Sequence, residues 1–140
     1  MKSKFVRLYS DIAERVAELS SARRLQVGAI VVRDDRIISM GYNGMPAGWD
    51  NNCESEQADG SLKTRPEVLH VEMNALMKLA RSHESGLGAD LFITHSPCME
   101  CAKGIYQAGI NRVYYGRQYR SNDGIQFLNQ SNIEVIHTGE

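Results

Sequence analysis

The sequence predicts an α/β fold: one mixed five-stranded sheet, an antiparallel hairpin first and parallel strands after, with helices on both faces. Three observations predict it. Two short β-branched runs are separated only by Asp34-Asp35, which favours a tight hairpin. From residue 67 onward, helical and strand-like patterns alternate as α-β-α-β-α-β. Strands separated by helices pair in parallel, through right-handed crossovers.

Residues 3–20 read as an amphipathic helix, because Phe5, Leu8, Ile12, Val16 and Leu19 recur at steps of three and four with charges between them. The hairpin strands are Leu25–Val32 and Arg36–Asn43. Gly44, Pro46, Gly48, Gly60 and Pro66 then punctuate residues 44–66, a loop long enough to be functional or mobile. A helix is expected at about 67–83, with Leu69, Met73, Leu76, Met77 and Ala80 as its buried stripe. Gly86 and Gly88 lead into a strand at Asp90–His95. Pro97 suits a helix start, and that helix should run to about Gln107, before Gly109. A strand at Ile110–Tyr115, a weaker helix at about 122–130 and a last strand at Ile133–His137 complete the chain.

Composition narrows the functional classes. The 140 residues suit one domain, 1–140. A hydrophobic share of 42% and a charged share of 24% exclude a disordered tail and a collagen-like rod. No apolar run reaches membrane-spanning length, so no membrane partner is expected. Charges recur through the first 20 residues, against a secretory signal, so the expected location is the cytoplasm (a host's, if the source is viral). A net charge of −1 argues against a nucleic-acid polymer as partner. Three cysteines is an odd count, which favours metal ligation or free thiols over disulfides.

The residues that carry chemistry are His70, Glu72, Cys98 and Cys101. Cys98-Met-Glu-Cys101 alone is ambiguous between a redox pair, half of a structural zinc site and two unrelated cysteines. Adding His70 makes three good ligands and leaves a fourth position for water, as in a catalytic zinc site. Mid-helix, His70 and Glu72 would point about 200° apart, so they serve one site only if the helix starts there. Cys98 and Cys101 likewise fall at the start of the Pro97 helix, and helix N-termini favour thiolate over thiol. H-x-E followed by P-C-x-x-C is the signature of zinc nucleobase deaminases, in which the Glu is the general acid and base and not a ligand.

On these residues, with Gln26-Val-Gly-Ala29, Gly41-Tyr-Asn-Gly-Met-Pro46 and Gln107-Ala-Gly-Ile110, the chain resembles the deoxycytidylate (dCMP) deaminases. The resemblance implies the three-layer cytidine deaminase-like fold and one catalytic Zn2+ per chain. It implies hydrolysis of dCMP to dUMP for thymidylate synthesis, and a homohexamer activated by dCTP, with Mg2+ on the triphosphate, and inhibited by dTTP. It places Arg24 on the substrate phosphate, Asn43 on the deoxyribose, Tyr119 over the nucleotide and the peptide groups of Val71 and Ser96 at the base edge. Arg120 is a further phosphate candidate, and Tyr42, Asn43, Gly44, Met45 and Pro46 mark the effector pocket. Two departures stand out. Val71 replaces the usual Ala between His and Glu, adding two methyl groups beside the base. Cys53 stands where longer phage relatives bind a second zinc, but Ala22 replaces the other cysteine, so Cys53 is expected to be free.

Two rivals remain at this level. One is a deaminase of free cytidine, guanine or tRNA adenosine, of which the tRNA enzyme would need a more basic surface. The other is a zinc-stabilised binding module, which would have no use for Glu72.

Overall fold

The structure, a computed structural model, describes residues 1–139. Its elements are α1 (Ser3–Ala17), β1 (Gly28–Arg33), β2 (Arg36–Tyr42), β3 (Glu54–Glu56), β4 (Leu62–Thr64), α2 (Val71–Ala80), β5 (Asp90–His95), α3 (Met99–Gln107), β6 (Arg112–Arg117), α4 (Asp123–Gln130) and β7 (Glu134–His137). The main sheet has the order β2-β1-β5-β6-β7. The β1 strand is antiparallel to β2 and β5, while β5–β6 and β6–β7 are parallel. The expected mixed five-stranded sheet is therefore present.

Alternation along the strands sorts the core into two layers. Ala29, Val31, Leu91, Ile93 and Val113 face α2, α3 and α4, whereas Ile30, Val32, Phe92 and Tyr114 face α1. The β1–β2 turn matches its sequence: Asp34 and Asp35 both have positive φ, 54° and 58°, as a two-residue turn of the primed kind requires. A register shift between Val31 and Val32 marks a bulge in the β1–β2 ladder.

Two helices bury a face shifted from the one their large apolar residues suggest: Phe5, Ile12, Val16 and Leu76 pack inward as expected, but others of the expected stripes do not. On α1, Leu8 and Leu19 (just beyond its end) are exposed, and Tyr9, Ala13, Val16 and Ala17 are buried. On α2, Met73 and Met77 are exposed and Ala80 lies outside the core, while Val71, Glu72, Ala75, Leu76 and Leu79 are buried. The cause is close backbone approach. A Cβ at Gly28 would lie 2.3 Å from the Ala13 carbonyl oxygen, and one at Gly41 would lie 2.9 Å from the Ala75 nitrogen. Small residues set how closely these helices approach the sheet, and Tyr9, Val16, Leu76 and Leu79 pack beside those contacts.

The helix expected at 67–83 is shorter, and Leu69 instead forms a bridge with Gly44. The 44–66 segment holds a small antiparallel hairpin, β3–β4, that the sequence pattern did not reveal. Its strands are three residues each and largely polar, too short for any period to show.

This topology gathers one edge of the sheet. Gly28 pairs with Tyr42, Ala29 with Ile93 and His95 with Arg117. The carboxyl ends of β2, β5 and β6 thus lie beside the amino end of β1, where ligand crevices of open α/β sheets form. Among the described residues, no helix is long and apolar enough to cross a membrane.

Candidate active site

The α2 helix begins at Val71 and α3 at Met99, so His70 and Cys98 are their N-caps, both with extended backbones (φ −67°, ψ 152° and φ −74°, ψ 170°). Helix N-caps are ordinarily Ser, Thr, Asp or Asn, which accept a bond from their own helix. Neither His70 nor Cys98 makes a side-chain cap. Their side chains meet each other instead. His70 Nδ1 lies 3.7 Å from Cys98 Sγ and 3.5 Å from Cys101 Sγ. The three donor atoms all fall within 4.8 Å of one another.

This donor set fits zinc. With Zn–S near 2.3 Å and Zn–N near 2.0–2.1 Å, a tetrahedral centre separates N from S by about 3.5 Å. Burial pushes the Cys101 thiol well above its usual pKa, and the Glu72 and Cys98 charges add to the rise. A divalent cation among the three donors removes that penalty, because thiolate is the form it binds.

Because His70 precedes the helix, Glu72 in the first turn of α2 can serve the same end as His70. The Glu72 side chain is buried. Burial pushes its carboxyl up to about 7, against smaller opposing effects of hydrogen bonds from its own N–H and from Cys101. A carboxyl so placed holds or releases a proton near neutrality, the property a general acid and base needs. The first-turn N–H groups of both helices point to this end and add positive partial charge.

A cavity of about 290 Å³ opens here, and it is lined by all four of His70, Val71, Glu72 and Cys98, by Ser96, and by Arg24, Asn43, Tyr119 and Arg120 across from them. The structure therefore brings all six expected substrate residues together with the metal-type cluster. Arg24 and Arg120 are exposed, and neither guanidinium has a carboxylate partner among the described residues. Arg120 lies over the Tyr119 ring at 5.3 Å. Tyr119 is tethered through its N–H, which donates to Ser96 Oγ at 2.7 Å. The Ser96 N–H is already donated to the Arg117 carbonyl at 2.8 Å, so of its peptide groups only the carbonyl is left to face a ligand. Val71 is buried and packs in the core as well as lining the cavity.

Asn43 is more committed than a sugar ligand alone would be. Its Oδ1 accepts the Val27 N–H and its Nδ2 donates to the Leu25 carbonyl, both at 2.8 Å. One Nδ2 hydrogen remains. Next to it, Gly44 and Leu69 exchange two backbone bonds, at 2.8 and 3.3 Å, which ties the 42–46 segment to the residue before His70. Tyr42, Met45 and Pro46 are half-buried around that bridge. Cys53 is buried, and its Sγ contacts the Asn51 carbonyl at 3.5 Å.

Three polar lining residues escaped the sequence reading, Glu54, Thr64 and His95, along with the apolar Leu25, Val27 and Val68. Glu54 is one of several acids between Asp50 and Asp59, and nothing in its neighbours in sequence singles it out from them. Burial raises its carboxyl pKa, but the N–H groups of Arg24 and Arg23 and the Arg23 guanidinium outweigh that and hold it below the usual value. His95 stood close to the Pro97-Cys98 pair, the one signal available. Thr94 Oγ1 accepts the Gly28 N–H at 3.2 Å and pairs with His95 Nδ1 at 2.9 Å. Burial and the nearby Arg117 charge hold His95 below its usual pKa, against a smaller opposing effect of Glu14.

Comparison with known proteins gives concordant results. The family "Cytidine and deoxycytidylate deaminase zinc-binding region" matches residues 3–117. ComE operon protein 2 of Bacillus subtilis is 39% identical over 109 residues, which span 78% of this chain and 57% of that protein. The deoxycytidylate deaminase of Enterobacteria phage T4 is 31% identical over an alignment of 168 positions, covering 91% of this chain and 86% of that one. The crystal structure of dCMP deaminase from cyanophage S-TIM5, in complex with dCMP and dUMP, superposes with a TM-score of 0.91 at 47% identity, over 99% of both chains.

Proposed function

The chain belongs to the cytidine and deoxycytidylate deaminase zinc-binding family, and on that premise we propose that it hydrolyses dCMP to dUMP and ammonia. The observation that carries this reading is the buried Glu72 carboxyl beside the His70–Cys98–Cys101 cluster, in a cavity that also holds two arginines without carboxylate partners. The first half suits deamination and the second suits a phosphorylated substrate.

His70, Cys98 and Cys101 would hold a zinc ion, and the chemistry it would supply when bound is an activated water, with a pKa brought from about 15.7 towards about 7. Glu72 takes a proton from the attacking water, passes it to the ring nitrogen beside the amine-bearing carbon, and helps protonate the departing ammonia. The Val71 N–H, a first-turn donor without a helical partner, and the Ser96 carbonyl meet the base edge. Asn43 offers its remaining Nδ2 hydrogen to the deoxyribose, Tyr119 covers the nucleotide, and Arg24 and Arg120 take the phosphate.

The resemblance extends the reading to a single-domain, cytoplasmic homohexamer that supplies dUMP for thymidylate synthesis, activated by dCTP with Mg2+ and inhibited by dTTP. The Gly44–Leu69 bridge supports an effector site at 42–46, since a shift there is passed directly to the residue before His70. The test is ammonia release by the zinc-loaded protein from dCMP, cytidine and deoxycytidine, with and without the two triphosphates. Preferential turnover of dCMP, with a sigmoidal curve made hyperbolic by dCTP and Mg2+, is the expected result. No ammonia from any of the three sinks the catalytic reading. Indifference to both triphosphates sinks only the regulatory one.

A further inference from the structure

Glu54 has the lowest exposure, 1%, of the buried charged residues among those described. It lines the cavity from the start of β3, and the mechanism does not use it. Its Oε2 accepts the N–H of Arg23 at 2.9 Å and that of Arg24 at 3.1 Å, and its Oε1 accepts Arg23 Nε at 3.3 Å. Directly across the β3–β4 hairpin, Glu54 pairs in register with Thr64. Thr64 Oγ1 accepts a bond from Arg24 Nη1 at 3.1 Å. One cross-strand pair therefore holds Arg24 at two points, its backbone and its guanidinium. Arg24, Glu54 and Thr64 all line the cavity.

The same arrangement gives two adjacent arginines different work. Arg23 forms the ion pair with Glu54 and offsets its charge. Arg24 meets only the carboxylate's backbone bond and a neutral hydroxyl, so its cationic fork stays available for an anion. A fork held in place loses less side-chain freedom when it grips a phosphate, and so binds it more tightly.

We propose that the Glu54–Thr64 pair is a positioning device that fixes Arg24 for the 5′-phosphate and thereby makes the site select nucleotides over nucleosides. This rests on the reading of dCMP as substrate. Glu54 and Thr64 act through Arg24, and the hairpin that carries them is a specificity element grafted beside the catalytic cluster.

The experiment compares kcat/KM for dCMP and for deoxycytidine in the zinc-loaded protein. Glu54→Gln should lower the dCMP-to-deoxycytidine ratio about tenfold, mainly by raising KM for dCMP, as expected when one charge-assisted bond is loosened. Thr64→Val should move the ratio the same way by about threefold, and Thr64→Ser, which keeps the hydroxyl, should retain the wild-type ratio. If Glu54→Gln fails to fold, the two Thr64 variants alone decide. Equal losses on both substrates, or no change in the ratio, would overturn the proposal. A wild-type protein that shows no preference for dCMP over deoxycytidine would instead overturn the phosphate reading beneath it, a failure visible before any substitution is made.

Discussion

His70, Glu72, Cys98 and Cys101 stand at the starts of two helices, whereas Arg24, Asn43, Glu54 and Thr64 stand on segments with little regular structure beyond one short hairpin. On the first side, position is set by backbone packing: α2 rests against Gly41 through Ala75, and Val71, Ala75, Leu76 and Leu79 join its layer of the core. On the second, position is set by polar tethers, such as the Asn43 amide to residues 25 and 27 and the Glu54 carboxylate to residues 23 and 24. The contrast teaches that bond-breaking chemistry needs donor atoms fixed to fractions of an ångström, which helix ends in a packed core supply. Substrate choice tolerates a looser frame, which hydrogen-bonded loops supply.

The largest effect that would test this division is on the packed side. Glu72→Gln should reduce kcat by about 10²–10⁴ while zinc content by elemental analysis stays that of the wild type. A variant with normal turnover would remove Glu72 from proton transfer. Across the cavity, Arg24→Ala should raise KM for dCMP about 10- to 100-fold with a much smaller change in kcat, as loss of a charged hydrogen bond predicts. An effect on kcat of the same size would erase the distinction between the two sides.

Stability should divide in the same way. Gly28→Ala places a methyl group against the α1 backbone and should cost about 1–3 kcal/mol, read as a lower urea midpoint. Gly104→Ala, on α3 with no heavy atom within 4 Å of the added carbon, should stabilise by about 0.5–1 kcal/mol. The tethered side should respond to acid. The Glu54 carboxyl is held below its unfolded value of about 4.3, so its contribution is full above that pH and fades as pH falls through the folded value. Stability should thus rise with pH across the acidic range, and Glu54→Gln should flatten the slope of urea midpoint against pH there. An unchanged slope would show that Glu54 is not a tether.

Much of the packed side was legible before any coordinates. His70-Val-Glu72 and Pro97-Cys98 mark two helix starts because helix geometry leaves a histidine and a glutamate two apart no other way to share a site. The tethered side was legible where resemblance pointed, at Arg24, Asn43 and Tyr119, and at Arg120 from its place beside that tyrosine. Glu54 and Thr64 lie 30 or more residues from the arginine they hold, and no periodicity links them.

The amino-acid sequence by itself determined the order of the main-sheet strands and their helices, the Asp34-Asp35 turn and the identity of the metal-type donors, since all of these follow from local periods and local backbone preferences. Tertiary structure alone decided which face of α1 and α2 turns inward, that Ser96 gives its N–H to Arg117, and that a buried glutamate anchors the arginine pair. Those outcomes depend on how closely two backbones can approach and on which polar groups find partners once water is excluded, and both are properties of the assembled chain rather than of any stretch of it.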